Sequence, residues 1–279
     1  MTAELAALEH ANWIEYLAAS VALGEHGVLV RDRGIVTLLG HVPMRFFNQV
    51  LVERPGASAD AIGDAVALGR EREDPFVVSL RDGIDDRFKP LMADLGLVAD
   101  DDAVTQAMAM HPLTNSTPFP GPTPGFDIQR VTNGAGLDDH RLAVTAGFAA
   151  DPAVAQAMMD VPLLERPECA VYVGYFEGQP VTTGLGWWTG RSIGVYNIAT
   201  VPAARRHGFG AAMTARVVAD GAAEGCDVAV LQASSMGRPI YERLGFRTSL
   251  RYTGYVDGST GTQPTGGTRS GRKEGDERV

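Results

Sequence analysis

The stretch that most constrains the 279-residue chain is Thr200-Val201-Pro202-Ala203-Ala204-Arg205-Arg206-His207-Gly208-Phe209-Gly210-Ala211-Ala212. Before it, Ile193 to Ala199 is rich in β-branched and aromatic residues and reads as a strand. After it, Ala211 to Ala219 reads as a buried helix closed by Gly221 or Gly225. The order is strand, short Pro/Gly loop, helix. Gly208 and Gly210 permit backbone geometry that other residues resist and remove side chains that would block a ligand. The loop amides and the first helical turn, with the helix dipole behind them, then form a seat for a pyrophosphate. A Walker loop requires Gly-Lys-Ser/Thr, and no lysine follows Gly210. A dinucleotide fingerprint requires a third Gly or Ala where Met213 stands. Arg205-x-x-Gly208-x-Gly210 remains, and by itself it also fits a Gly-rich turn that binds nothing.

A second motif lies downstream. Asp227 to Gln232 reads as a buried strand, followed by the run from Ser234 through Tyr241-Glu242-Arg243-Leu244-Gly245-Phe246, a helix capped by Gly245. In this order and at this separation the two motifs resemble the GNAT superfamily of acyl-CoA N-acyltransferases, over residues 126–257. The resemblance implies an α/β (α+β) domain with a mixed, mostly antiparallel sheet flanked by helices, and acetyl-CoA as cosubstrate. It implies that backbone near Ile198, Ala199 and Thr200 holds the pantetheine. The amides of Arg206, His207, Gly208, Phe209, Gly210 and Ala211 would hold the pyrophosphate, with Arg205 adding charge and Ser234 joining the cofactor set. Tyr241 falls where the superfamily places the acid that protonates the departing thiolate; the competing reading is a packed helix tyrosine. The base is open. Asn197 either orders a water or is a structural hydrogen-bonder, Glu165 and Glu168 are solvated loop carboxylates within conceivable reach, and His207 reads as a solvated neighbour. Trp187, Trp188 and Tyr175 either line an acceptor pocket or pack.

The N-terminal part has its own element sequence. Residues 2 to 22 read as a helix with Trp13, Ile14, Tyr16 and Leu17 on helical spacing; strands follow at 27–31, 35–39 and 45–52. Ser58 is placed to cap a helix over 59–70, then come a strand over 75–80, a helix over 86–95 and a strand over 104–110. Laid over the C-terminal part at an offset of 149, Pro90 to Leu97 matches Pro239 to Phe246, and Phe47-Asn48 matches Tyr196-Asn197. The expectation is a tandem arrangement: a degenerate GNAT-like domain at 1–111, a proline-rich linker at 112–125, the catalytic domain at 126–257 and a disordered tail at 258–279. Within 126–257, helices are expected at 137–149 and from Asp151-Pro152, with a hairpin turning at Glu177-Gly178. Met92 replaces Tyr241, and Pro55-Gly56-Ala57-Ser58 replaces the glycine loop, so the first domain is expected to bind no acyl-CoA and to wall the acceptor groove. Residues 120–257 alone are expected to keep some acyl-CoA affinity.

A net charge of -10 argues against nucleic acid or an anionic membrane as partner. Cys169 and Cys226 are read as small core residues, with no metal site or disulfide framework. The start of the chain lacks a cationic leader, so a cytoplasmic protein is expected. The function implied is acetyl transfer to a small-molecule or protein amine. The alternatives are another acyl-CoA donor, a non-catalytic acyl-CoA sensor that regulates a partner, and a structural or interaction protein, which would leave the glycine loop unexplained.

Overall fold

One mixed sheet runs through the computed structural model, which describes residues 3–113 and 124–258. Residues 114–123 and 259–279, which hold most of the expected linker and the expected disordered tail, lie outside the described residues. The N-terminal half runs α1 (Ala3–Val21), β1 (Val28–Asp32), β2 (Ile35–Leu39), β3 (Asn48–Val52), α2 (Ala59–Glu71), β4 (Val77–Arg81), α3 (Lys89–Asp94) and β5 (Leu97–Met110). The C-terminal half opens with β6 (Phe126–Arg130), α4 (Gly134–Phe148), α5 (Pro152–Met158) and α6 (Val161–Leu164). It continues with β7 (Cys169–Phe176), β8 (Gln179–Thr189), β9 (Ser192–Thr200), α7 (Phe209–Ala223), β10 (Val228–Ala233), α8 (Arg238–Leu244) and β11 (Arg247–Asp257). From β1 and from β7 onward the two halves repeat one order: three strands, helix, strand, helix, strand. The fold is a tandem GNAT-like arrangement, and the offset of 149 carries α2, β4, α3 and β5 onto α7, β10, α8 and β11 within a few residues.

The strand order is β1-β2-β3-β4-β11-β5-β10-β9-β8-β7-β6. The halves therefore exchange their last strands. β5, from the first half, pairs antiparallel with β10 of the second, Gln106 to Met110 against Ala233 to Ala229. β11, from the second half, pairs with β4 of the first, Tyr252 to Tyr255 against Arg81 to Val78. β5 and β11 also pair with each other at the centre of the sheet. Because strand pairing satisfies backbone groups that are costly to bury alone, neither half closes its own sheet.

The faces of the shared sheet are covered differently. α1 lies with α4, α5 and α6 over one core, in which Trp13, Tyr16 and Leu17 meet Met158, Met159, Trp187, Tyr196 and Tyr252. α7 and α8 cover the other face of the second half, where Met213, Val217 and Phe246 pack on Ile193, Val195 and Leu231. α2 and α3 cover a third core on β2, β3 and β4. Trp13 and Tyr16 are fully buried, and deleting a ring of that size from a core costs about 3–5 kcal/mol. The helix spacing of Trp13 and Tyr16 was legible; that their partners are in the other half was not.

Several element bounds differ from expectation for local reasons. Arg45–Phe47 is a 3-10 turn and the strand begins only at Asn48, whose side chain accepts from the Gly40 amide at 2.8 Å and donates to the Val42 carbonyl at 2.8 Å. The strand expected at 104–110 begins at Leu97, because Leu97 to Asp100 pair with Asp257 to Gly254 of β11 in spite of the Asp100-Asp101-Asp102 run. α4 begins at Gly134, where Asn133 caps the Gly136 amide, and stops with Ala149 at φ 53°. Ser58 stands at the N-cap of α2 but makes no side-chain capping bond. Asp86–Phe88 is a 3-10 turn ahead of the shorter α3. The hairpin at Glu177-Gly178 turns with both residues at positive φ, as a tight hairpin requires.

Candidate active site

The second half contains one place where the sheet is deliberately opened. Along the β8–β9 ladder, Thr183 pairs with Ala199 but Leu185 pairs with Tyr196, so Asn197 and Ile198 together face Gly184. This is a β-bulge, and Asn197 sits in it at φ 51°, a left-handed conformation that asparagine tolerates. Gly184 must be glycine: a Cβ there would lie 2.6 Å from Cγ of Met213 in α7. On its other side β9 pairs with β10 only from Ser192–Val228 to Gly194–Val230, although β9 continues to Thr200 and β10 to Ala233. Beyond Gly194 the two strands part. Backbone groups of β9 directed into that opening are released from the ladder.

The first half has neither feature. Its β2–β3 ladder keeps one register from Ile35–Val52 to Leu39–Asn48, and β3 pairs with β4 as far as Leu51–Ser79, one residue short of its end. The loop at Pro55-Gly56-Ala57-Ser58 is filled. Ala57 is buried, its Cα lies 2.9 Å from where a Cβ on Gly34 would stand, and its carbonyl accepts from Arg87.

At the open end of β9, the chain makes a 3-10 turn over Pro202–Ala204 and enters α7 through Gly208, at φ 84°. A Cβ on Gly208 would meet nothing within 4 Å. Like α2, α3 and α8, and unlike α4, α5 and α6, α7 has no side-chain cap, and it alone of these enters through a glycine at positive φ. Phe209 anchors the turn, buried and stacked on Phe126 at 4.5 Å with Phe176 at 5.2 Å. Gly210 packs close, its virtual Cβ 3.3 Å from Oγ1 of Thr200, and Ala211 follows in the first turn. Arg206 is exposed at φ 68°. His207 lies over Phe209 and its Nδ1 bonds to the Ala204 carbonyl at 3.2 Å, which fixes that nitrogen as the donor.

Arg205 is used differently from expectation. Its Nε donates to the Thr200 carbonyl at 3.2 Å and its Nη2 to the Gly147 carbonyl at 2.8 Å, so it ties the loop to the C-terminal turn of α4. Its charge still stands beside the loop.

Tyr241 projects from α8 on the same face as Ile198, both packed against the core beneath α7. The ring lies against Gly237, where a Cβ would approach to 2.9 Å. Its hydroxyl has no hydrogen-bond partner among the described residues. Burial pushes the phenol up to about 12, so it keeps its proton at neutral pH and stands as a hydrogen-bond donor. Ser234 accepts from the Gly237 amide at 3.1 Å and shapes the turn that leads into α8.

Asn197 faces the other side of the sheet. Its Oδ1 accepts from Tyr16 at 3.2 Å and its Nδ2 reaches Sδ of Met159 at 3.2 Å, so both ends of the amide are engaged. Trp187 is buried against Tyr16 and its carbonyl accepts from Asn12, so it packs rather than lines a pocket. Tyr175 donates to Asp139 at 2.7 Å. Glu165 and Glu168 are exposed loop residues, and the Glu168 carbonyl accepts from the Trp188 amide at 2.8 Å.

The residues missed in the sequence are those of α1. Glu9, His10, Asn12 and Tyr16 are buried and lie over β9, β10 and β11 of the second half. Asn12 Oδ1 accepts from the Tyr196 hydroxyl at 2.7 Å, and Tyr16 stacks on Tyr196 at 3.9 Å. Glu9 meets the Tyr252 hydroxyl at 2.9 Å and the amide of Gln232. The available signal was a set of polar residues placed on the same helical face as the aromatic stripe. Cys169 and Cys226 are free and buried, and no cluster of metal-ligating side chains occurs among the described residues.

The site is thus a bulged third strand that parts from its parallel neighbour beside a glycine-entered helix. Residues 167–248 match the family model described as acetyltransferase (GNAT) domain. No curated protein matches the chain at a significant level. Similar solved structures include a GCN5-related N-acetyltransferase from Kribbella flavida, at 17% identity and TM-score 0.68 over 91% of this chain and 96% of that one. A tandem GNAT protein from the clavulanic acid biosynthesis pathway is similar at 11% identity and TM-score 0.57, over 89% of this chain and 94% of its own. A GCN5-related N-acetyltransferase from Sphaerobacter thermophilus is similar at 18% identity and TM-score 0.57, over 82% and 75%. At these identities the likeness is one of fold. No helix among the described residues is long and apolar enough to cross a membrane.

Proposed function

We propose that the protein transfers an acetyl group from acetyl-CoA to a primary amine, by direct attack in a ternary complex, and that the second half carries the chemistry. The observation that carries this reading is the parting of β9 from β10 beside the uncapped start of α7. The amides from Arg206 to Ala211 would hold the pyrophosphate, and backbone at Ile198, Ala199 and Thr200 the pantetheine. Acetyl-CoA supplies an activated thioester. The amine lone pair forms the C–N bond as the C–S bond breaks; Tyr241 gives its proton to the departing sulfur, and the proton shed by nitrogen returns through solvent to the phenolate. The first half, with its continuous β3–β4 ladder and filled loop, holds no acyl-CoA in this reading and supplies walls. The domain boundaries at 111 and 126, and a cytoplasmic setting, belong to the same proposal.

One observation favours a second reading, an acyl-CoA-binding protein without turnover. α1 lies across the bulge on the face opposite Tyr241, with Tyr16 fully buried between Tyr196 and Asn197. The test is an acetyl-CoA turnover screen over amine classes that reads free thiol. Release of thiol with one amine class supports transfer; tight acetyl-CoA binding with no thiol from any class supports the second reading.

A further inference from the structure

Past the Gly194–Val230 pair, β10 runs on through Leu231, Gln232 and Ala233 with no β9 residue beside it. Leu231 and Ala233 pack toward α7. Gln232 lies between them in the strand alternation, so it faces α1, and its amide nitrogen donates to Oε1 of Glu9. Its own Oε1 is buried and has no hydrogen-bond partner. A buried acceptor left unmet destabilises the fold that holds it, and this one stands on the strand that borders the opening.

Turning the amide round would not satisfy it. Nε2 of His10 lies 2.8 Å from the Val52 carbonyl and must carry the proton, so Nδ1 accepts from the Tyr252 hydroxyl. The Tyr252 oxygen then accepts from Glu9 through Oε2, at 2.9 Å. Oε1 of Glu9 is left as a carbonyl oxygen, which only accepts. Gln232 must therefore present its NH2 to Glu9, and its Oε1 is the arm turned away.

The opening has a different chemistry on each face. Tyr241 and Ile198 belong to the α7 face, whereas Gln232 and Tyr196 belong to the α1 face. With the acid on the first face, the nitrogen is received on the second. Among the described residues there, none can take a proton from an ammonium. On α1, Glu9 keeps its own proton, and both ring nitrogens of His10 are engaged. Burial raises the phenols of Tyr16, Tyr196 and Tyr252, which leaves them donors. Asn12 and Asn197 do not titrate. Arg81, the cation whose charge reaches Glu9, is paired with Asp85. On β5, Ala107 lies opposite Gln232, and residues 104–110 contain no titratable side chain.

An uncharged acceptor with no base beside it suits an amine that is already neutral. We infer that Gln232 receives the attacking amine, its Oε1 accepting one N–H and so turning the nitrogen lone pair toward the thioester, and that the site takes weakly basic primary amines. This deepens the transfer reading and rests on it. The amide oxygen is too weak a base to keep the proton: the C–N bond forms, the C–S bond breaks, Tyr241 protonates the sulfur, and the proton shed by nitrogen leaves to solvent.

The test uses the full-length chain, reads free thiol, and compares glycinamide with n-butylamine. An α-amine has a pKa of about 7.7–8.0 and an alkylamine one near the lysine value of about 10.4, so near pH 7 far more of the first is neutral. In the wild type, kcat/KM for glycinamide at pH 7 should exceed that for n-butylamine by roughly tenfold or more, and the n-butylamine value should rise about tenfold per pH unit from 6.5 to 8. Gln232→Met keeps the side-chain length without the acceptor. It should lower kcat/KM for glycinamide roughly ten- to a hundredfold, with KM for acetyl-CoA and its thermal shift unmoved, which a merely structural role would not give. Thiol release with n-butylamine preferred at pH 7, or with wild-type kcat/KM in Gln232→Met, overturns the inference and leaves the transfer reading standing. Acetyl-CoA binding with no thiol from any amine sinks the transfer reading and the inference with it.

Discussion

Buried Glu9 makes the stability of this protein depend on pH in a direction opposite to that of an ordinary carboxylate. Its Oε2 lies 2.9 Å from the Tyr252 hydroxyl, and that hydroxyl lies 2.9 Å from Nδ1 of His10, whose Nε2 lies 2.8 Å from the Val52 carbonyl. The carbonyl requires a proton on Nε2. If His10 is neutral, Nδ1 accepts the single Tyr252 proton, and Glu9 must then be protonated to donate to the phenol oxygen. The ionised alternative moves one proton from Glu9 to His10, and burial opposes both charges: it pushes Glu9 up to about 8 and His10 down to about 4. Arg81 nearby pulls Glu9 down, but it is already paired with Asp85 at 2.7 Å.

The native state therefore holds a proton on Glu9 that the unfolded chain sheds above the ordinary value of 4.5, so this contribution is complete below 4.5 and gone above about 8. His10 and His140, both pushed down from 6.5 to about 4 by burial, contribute stability that is present above 6.5 and lost toward 4. Below 6.5 two histidines outweigh one carboxyl; above it Glu9 acts alone. Stability should peak near pH 6.5 and fall by about 1.4 kcal/mol per pH unit, or about 2 kcal/mol by pH 8. For a chain of this size that is a fall of roughly 4–8 °C in Tm. Glu9→Gln, which can still donate to Tyr252 and accept from Gln232 but cannot ionise, should be flat over the same interval. Urea midpoints and melting temperatures at half-unit steps from pH 6 to 9 decide it. A wild type that is level from 6.5 to 8, or a variant that falls in parallel, refutes the protonated arrangement.

Gly208→Val should abolish the thermal shift given by acetyl-CoA, since it forces a branched residue into φ 84° and places a side chain where the seat is open; an unchanged shift would remove the loop assignment. Tyr241→Phe should lower kcat ~10²–10⁴-fold with acetyl-CoA affinity kept, and a wild-type kcat would return Tyr241 to packing. Residues 120–257 expressed alone should fail to unfold cooperatively, because β10 loses its partner β5 and β11 loses β4; supplying residues 1–119 in trans should restore a cooperative transition. A cooperative melt of the fragment alone would show that the exchange is dispensable.

That last expectation reverses the one drawn from sequence, and the reversal marks where sequence reasoning stopped. Local chemistry was readable. The strand, the Gly208 turn and α7 follow from residue types within one short window, as do the Gly245 cap, at φ 106°, and the hairpin at Glu177-Gly178. The repeat was readable because duplicated elements keep their spacing. Pairing between distant strands was not: nothing in β5 or β11 says whether it returns to its own half or crosses to the other. Asn197 could be nominated by position, but its occupation by Tyr16 and Met159 depends on where α1 comes to rest.

By itself the sequence determined most segments that become helix, strand and glycine turn, and that the second half carries a glycine-entered helix after its third strand where the first has Pro55-Gly56-Ala57-Ser58. The tertiary structure alone decided the exchanged strands, the placing of α1 over the bulge, and the burial of Glu9 beside Tyr252. The physical reason is range: propensity, capping and turn geometry act over a few residues, whereas packing joins residues as far apart as Glu9 and Tyr252, which meet only once the sheet has closed.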